Sequence, residues 1–425
     1  MAAGTAATST ARRWGLTARG WTFLALGLAT ALVGMVRGLV PVVQFGVLIA
    51  ALPLVAAALT RRPRRQVSVS RALSARELPT GGQLRVIVAV RTRFGIGRSL
   101  LLEDLAPEAL GGPHRFALSG LSGDAVGQPH YQLRTRARGS HLLGPLRLHV
   151  VDRFGMVHRV QTVGGRDEVV VVPPVVALAP LVLGGAAIGV GAGHVGALGA
   201  ASDDVIPRTY HAGDEVRRID WKASARTGEL MVRSEESPWR PAVTVLVDVR
   251  EGVHAGDGPD SSLDLTLSVA ASVGALALAT GYDLAVRTTD DQPVFTGSPV
   301  AGISEERRAL LRALAVLPAS TSPIPASSLA HSADVVSSGP MVLVTGDLSQ
   351  TAARILAGVG GHSPTKVLVR VDTAGWHGAG PDPRPAGLRD GAAGLALMAE
   401  AGWRATSVGR GEDLAAAWSR LAVRR

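Results

Sequence analysis

Two uncharged apolar runs near the N-terminus restrict this chain more than any other feature. Trp21 to Val36 reads WTFLALGLATALVGMV, and Leu39 to Leu59 reads LVPVVQFGVLIAALPLVAAAL, with only Arg37-Gly38 between them. The second run has 21 residues, enough to cross a hydrocarbon core about 30 Å thick at ~1.5 Å per residue. The first has 16, and reaches 21 from Leu16 if Arg19 snorkels to the headgroups. A cleaved signal peptide fits poorly, because a second run follows at once and no small-residue cleavage site precedes polar sequence. Uncharged runs this long rarely fill soluble cores. The expectation is a two-helix transmembrane hairpin over residues 21–60, preceded by a cytoplasmic tail at 1–20.

The flanks set an expected orientation. Arg12, Arg13 and Arg19 precede the hairpin and Arg61, Arg62, Arg64 and Arg65 follow it, whereas the connecting turn offers only Arg37. The positive-inside bias then puts both ends, and everything after residue 60, in the cytoplasm of a multi-pass plasma-membrane protein. RRPRR at 61–65 also attracts anionic headgroups, by about 1 kcal/mol per residue near the surface.

Composition narrows the remainder. Of 425 residues, 47% are apolar and 18% charged, too much to bury for a disordered chain. The absence of cysteine removes disulfide scaffolds, thiolate metal sites and cysteine catalysis. The net charge of +10 suggests nucleic acid, but residues 1–160 carry 21 basic against 6 acidic side chains and residues 161–425 carry 23 against 28. The excess belongs to the part that holds the apolar runs, so no nucleic-acid partner is expected.

Residues 66–175 alternate apolar and polar positions, as in Leu146-Arg-Leu-His-Val150, between turns such as Pro79-Thr-Gly-Gly82 and Gly144-Pro145. Short strands at this spacing predict a β-sandwich-like domain, closed by Val169 to Val172 before Pro173-Pro174. Residues 184–201, GGAAIGVGAGHVGALGAA, lack the Gly-Lys-Ser/Thr of a phosphate loop and read as a linker. Together with the charged stretch that follows, they form a connecting module over 176–240. From 241 to 425 strand and helix patterns alternate: strands at 242–247, 284–286, 341–345, 366–371 and 404–408, helices at 263–279, 304–317, 351–358, 391–401 and 412–423. That repetition predicts an α/β doubly wound parallel sheet. Its ligand sites belong at the carboxyl ends of strands near the topological switch point, where Asp248, Thr345 and Asp347 stand. Asp260 or Ser261 caps the helix that begins at 263.

Between the two folded parts, SDDVIPRTYHAGDEVRRIDWKASARTGELMVRSEE (202–236) has 8 acidic and 6 basic residues among 35. Interleaved charges of this kind either pair with one another or present a docking surface. This stretch resembles the signature of the domain of unknown function 58 family, and ARGSHLLGPLRLHVVDRFGMVHR (137–159) is similar to that family's β-rich segment. The resemblance implies a membrane-anchored cytosolic protein with a C-terminal von Willebrand factor A-like domain. It also implies partnership with a MoxR-type AAA+ ATPase and with other von Willebrand A-type proteins. The signature positions are Arg208, Tyr210, Gly213, Asp214, Arg217, Asp220, Trp221, Lys222 and Arg226. Within them Tyr210, Arg217, Trp221, Lys222 and Arg226 make a candidate docking patch, since Tyr, Trp and Arg dominate binding energy at interfaces.

No catalytic constellation emerges, no cofactor is expected, and the leading expectation is a non-enzymatic adaptor. The alternative is a membrane-bound metal-dependent hydrolase built on Asp203, Asp204, Asp214, Asp220, Lys222, Glu235 and Glu236. In the last domain, Mg2+-binding von Willebrand A-type domains use Asp-x-Ser-x-Ser after the first strand. Here that stretch is Asp248-Val-Arg250-Glu-Gly252, so a degenerate site at Asp248, Thr345 and Asp347, with no metal, is the expectation.

Overall fold

A computed structural model describes residues 12–61, 67–92, 100–118, 126–151, 154–183, 186–188, 207–210, 219, 221–233, 242–258, 260–325, 339–361, 363–377 and 391–422. The chain divides into two compact units, Met1–Val172 and Pro173–Arg425.

The apolar runs form two helices, α1 (Ala18–Arg37) and α2 (Val40–Arg61), joined by a turn at Gly38, whose backbone is left-handed. Thr17 caps α1 by accepting from the Gly20 amide. Gly20, Gly27 and Gly34 recur every seven residues and are the buried positions of α1. A Cβ on Gly27 would stand 2.4 Å from the Ala50 amide nitrogen, and one on Gly46 would stand 2.4 Å from that of Ala31. The helix backbones therefore touch where the side chains are missing, a small-residue packing of closely approaching helices. Their outer faces stay apolar and exposed, with Leu28, Leu32 and Val36 on α1 and Leu48, Leu54 and Leu59 on α2.

The remainder of the first unit is strand, nearly all of it antiparallel. Strands β1 (Arg12–Leu16), β2 (Val67–Leu73), β3 (Glu77–Pro79), β4 (Gln83–Thr92), β5 (Leu100–Asp104) and β6 (His114–Leu118) are followed by β7 (Val126–Gly127), β8 (His130–Arg134), β9 (Gly139–Leu143), β10 (Leu146–Val151), β11 (Val157–Val163) and β12 (Asp167–Val172). They make one five-stranded sheet, β1-β11-β10-β5-β6, and smaller sheets β3-β12-β9 and β2-β4-β7, with β8 also on β4. Period-2 alternation supplies the core: Leu84, Val86, Val88 and Val90 of β4 are fully enclosed, whereas Ile87 between them is exposed. The stretch expected as an N-terminal tail contributes β1, which pairs with β11 from Leu16↔Val157 to Arg12↔Gln161. A buried ion cluster ties the sheets together. The Arg71 guanidinium donates to both oxygens of Asp104, at 3.1 and 2.7 Å, and to Asp167 at 2.5 Å, and Tyr131 also donates to Asp104.

The second unit starts earlier than the composition suggests. Residues 173–181, expected to end one domain and open a linker, pack onto the α/β core through Leu178 and Leu181. Ser268 donates to the Pro174 carbonyl, Val176 donates to the Ser272 hydroxyl, and the buried Trp418 indole donates to the Ala179 carbonyl. Two short strands follow, β13 (Leu181–Leu183) and β14 (Ala186–Ile188). Most of the glycine-rich stretch lies outside the described residues. β15 (Pro207–Thr209) and β16 (Met231–Arg233) then flank helix α3 (Trp221–Thr227).

The main sheet contains β17 (Ala242–Val247), β18 (Asp283–Thr288), β19 (Pro293–Gly297), β20 (Met341–Thr345), β21 (Lys366–Val371) and β22 (Trp403–Val408) in the order β19-β18-β17-β20-β21-β22. All neighbours are parallel except β19, an antiparallel edge strand that the sequence reading missed. Helices α4 (Ser262–Ala279), α5 (Ile303–Ala315), α6 (Gln350–Ala357), α7 (Gly391–Glu400) and α8 (Leu414–Ser419) accompany it. Ser261 caps α4 by accepting from the Asp264 amide, so of the two expected capping residues Ser261 serves, and Asp260 sits in left-handed backbone just before it. Leu267, Val269, Val273 and Leu278 of α4 are fully enclosed, each burial stabilising by about 1.5–3 kcal/mol.

The hairpin packing makes a testable demand. Gly27→Leu, which forces a side chain into the Ala50 backbone, should lower the thermal midpoint of the detergent-solubilised protein, at an overpacking cost of roughly 1–3 kcal/mol or more. Leu28→Ala on the exposed face should leave that midpoint unchanged.

Candidate functional site

The sheet order places β17 beside β20, with successive connections leaving in opposite directions, so their shared carboxyl end is the topological switch point. Asp248 follows β17, Thr345 ends β20 and Thr289 follows β18. These three meet. Thr289 Oγ1 donates to Asp248 Oδ1 at 3.0 Å, and Thr345 Oγ1 donates to Oδ2 at 2.9 Å. All three side chains are buried.

Arg250 completes the cluster. Its Nε donates to Asp248 Oδ1 at 2.8 Å and its Nη2 to Oδ2 at 2.6 Å, a two-pronged pairing that occupies both carboxylate oxygens. Burial by itself would raise the Asp248 carboxyl. The hydrogen bonds and charge of Arg250, helped by His254 and Thr345, outweigh that and hold it below the ordinary carboxylate value.

A divalent cation needs several oxygen ligands with free lone pairs. At Asp248 those lone pairs already serve a guanidinium and two hydroxyls, and the two positions that would carry serine in a metal-binding domain are Arg250 and Gly252. The site therefore does not fit Mg2+. Arg250 supplies the counter-charge from within the chain, and Asp248 acts as the keystone of the loop that follows β17.

That loop is closely bound to the next turn. The Asp347 amide donates to the Val253 carbonyl at 2.8 Å, and a Cβ on Gly346 would lie 2.0 Å from the same oxygen. Only glycine fits there. His254 Nε2 lies 2.6 Å from the Asp248 carbonyl oxygen, and Nδ1 lies 3.3 Å from Ser262 Oγ. The carbonyl can only accept, so Nε2 carries the proton and Nδ1 accepts from Ser262. Burial lowers the His254 basicity, against the opposing pull of Asp248. Asp347 accepts from Thr373 Oγ1 at the end of the neighbouring strand. Asp248 and Asp347 thus flank one loop, each tied to its own hydroxyl donors.

The signature module is described in part. Arg208 lies on β15 opposite Val232 of β16, and Tyr210 continues this ladder by donating its amide to the Leu230 carbonyl at 2.8 Å. Trp221, Lys222 and Arg226 are exposed on α3, Trp221 with 66% of its surface free. Gly213, Asp214, Arg217 and Asp220 lie outside the described residues, as do Asp203, Asp204, Glu235 and Glu236 of the acidic cluster. Arg250 and His254 escaped the sequence reading as partners of Asp248, although an arginine two residues past a strand-end aspartate was the available signal. Arg71, Asp104, Tyr131 and Asp167 offered none, because their pairing spans 27 to 96 residues.

Two outcomes are expected. Arg250→Ala strands the buried Asp248 charge and should destabilise the protein by about 3–5 kcal/mol, read by chemical denaturation, with Asp248→Asn in the same background recovering much of the loss. The His254 imidazole titrates below its unfolded value of 6.5, so its contribution is complete above that pH and is lost as pH falls through it. Asp248 starts to lose its contribution only below its unperturbed value of 3.8. His254→Gln should therefore flatten the fall in stability just below pH 6.5 and leave the lower, carboxylate-driven fall in place.

No curated protein sequence matches the chain. Among solved structures, it is similar to the CARDB domain of a Pyrococcus furiosus protein in complex with di-metal ions, at 12% identity and a TM-score of 0.19 over 25% of this chain and 93% of that one. It is also similar to the Pseudomonas fluorescens alkylpurine DNA glycosylase AlkC bound to DNA containing an abasic site analog, at 13% identity and a TM-score of 0.19 over 36% of this chain and 43% of that one. Similarities at such scores carry no argument about fold or function. Residues 207–372, from β15 through the Asp248 cluster to the end of β21, match the family described as protein of unknown function DUF58.

Proposed function

We propose that this protein is a membrane-anchored adaptor, held in the plasma membrane by α1 and α2, with both termini and both folded units in the cytoplasm. The observation that carries this reading is the β1–β11 ladder. β1 precedes the hairpin and β11 follows it, yet they share five paired positions. A ladder cannot form through a bilayer, so the hairpin's two ends lie on one side, and the flanking arginines select the inner side. α1 and α2 are long and apolar enough to span, with mean hydropathies of 1.4 and 2.4.

On this reading the first unit is a β-sandwich-like platform, and the second is a von Willebrand factor A-like domain that has exchanged metal-dependent adhesion for the Arg250–Asp248 pair. The partners are a MoxR-type AAA+ ATPase and other von Willebrand A-type proteins, in assembly or maturation of protein complexes, with no intrinsic catalysis. α3 supports the docking role: an exposed tryptophan beside Lys222 and Arg226 is an unusual residue to leave in water, and Trp and Arg are enriched among interface residues whose loss costs 2 kcal/mol or more.

Co-purification with the ATPase in mild detergent tests the proposal. Trp221→Ala and Arg217→Glu should each reduce recovery several-fold relative to the native chain, while the α/β unit keeps its thermal midpoint. Unchanged recovery removes the docking patch.

A further inference from the structure

The base of the hairpin is built into the β-rich unit, and the residues around it carry an inference that rests on the membrane reading of α1 and α2. The turn at residues 154–156 leads into β11 at the end of the sheet from which the helices leave. Thr17, the cap of α1, donates its amide to the Met156 carbonyl at 2.9 Å and its hydroxyl to the Gly155 carbonyl at 2.6 Å. A Cβ on Gly20 would stand 2.3 Å from the Met156 oxygen, so the first turn of α1 lies directly on the turn's backbone. On the other helix, Ala56 and Ala57 pack with Met156, Val157 and Leu16 in one buried cluster. Arg19 lies alongside, its Nη1 3.7 Å from where a Gly155 Cβ would be.

At this base the unit displays apolar side chains to solvent. Phe154 at the tip of the turn is 65% exposed, Trp21 in the first turns of α1 60%, Trp14 on β1 53%, Val151 at the end of β10 52% and Leu59 near the end of α2 53%. Aromatic rings with an arginine among them, at the level where an apolar helix begins, match the headgroup zone of a bilayer, where amphipathic rings and snorkelling cations both gain. No flexible tether separates the turn from the helices. Whatever depth the start of α1 adopts, the backbone of Gly155 and Met156, next to Phe154, shares through its bonds to Thr17.

We infer that the turn at 154–156, with Trp14 and Trp21, is a membrane-docking collar that inserts Phe154 into the headgroup and acyl boundary. The β-rich unit would then lie on the lipid surface in a fixed pose instead of moving freely beneath it. The occupant of the exposed apolar patch is lipid, because the patch is continuous with the helix faces that lipid covers.

The chain has no cysteine, so single-cysteine spin labelling of the full-length protein in phosphatidylcholine–phosphatidylglycerol vesicles is direct. Three labels are compared: Phe154→Cys, Leu28→Cys at the middle of α1, and Leu142→Cys, an exposed position on β9 at the opposite end of β10 from the turn. Collision with oxygen against a water-soluble nickel chelate reports depth. The expected result places Leu28→Cys in the hydrocarbon, Leu142→Cys in water and Phe154→Cys about 5–10 Å into the boundary region, with oxygen-to-nickel accessibility several-fold above that at Leu142→Cys. If Leu28→Cys is in hydrocarbon and Phe154→Cys matches Leu142→Cys, the collar is wrong while the hairpin stands. If Leu28→Cys reads as aqueous, the membrane reading itself fails, and the collar falls with it.

Discussion

A five-residue ladder between β1 and β11 governs the architecture of the first unit. It joins sequence from before the apolar hairpin to sequence about 145 residues later (Leu16 with Val157, for example) and so returns the chain to one sheet on both sides of α1 and α2. The backbone bonds of Thr17 to Gly155 and Met156 extend the same attachment into the first helix. Each such bond contributes only about 1 kcal/mol net, but together they set the register of strand and helix as one piece. The glycine spacing in α1 and the paired alanines at the end of α2 make sense within that constraint, since both serve to bring backbones close to something already fixed.

In the second unit the equivalent organising element is one charge pair. A doubly wound sheet leaves a crevice where its strand order reverses, and a carboxylate there, at the end of β17, must find either water, a metal or a cation of the protein's own. Arg250 supplies the cation two residues along the same loop. A two-pronged arginine engages both oxygens, Thr289 and Thr345 complete the shell, and together they offset the cost of enclosing Asp248. The crevice thereby becomes a structural joint that holds the 251–254 loop over Gly346.

Much of this was legible from residues alone, for identifiable reasons. The hairpin declared itself by length and absence of charge, and the parallel strands at 242–247 and 366–371 by apolar runs of the right length between turns. Ser261 was readable as a cap, although Asp260 competed until the backbone put it in the left-handed region. Three features were hidden. β1 is short and sits beside a much stronger apolar signal. β19 is a half-exposed edge strand with little hydrophobic pattern. Residues 173–181 follow two prolines and resemble a linker, but Trp418 and Ser268, distant in sequence, hold them on the core. Pairings that depend on distant partners leave no local period to read, and the Arg71 cluster belongs to the same class. The Asp248 site was half legible: its position followed from strand-end logic, whereas the role of Arg250 as a built-in counter-ion needed geometry.

The enclosed helix α4 has a further consequence for how this chain is made. Its mean hydropathy of 1.6 exceeds the 1.4 of α1, so a nascent chain presents a third long segment at least as apolar as its first. Of the strands that it packs on, β17, β18, β20 and β21, the last two are synthesised only after about 60 to 90 further residues. What sets α4 apart is a sprinkling of hydroxyls and one carboxylate, Ser262, Asp264, Thr266, Ser268 and Ser272, several of which tie it to the preceding loop and to the 173–181 segment. The same polar atoms that fasten the finished domain thus also give this otherwise apolar helix a polar side of its own.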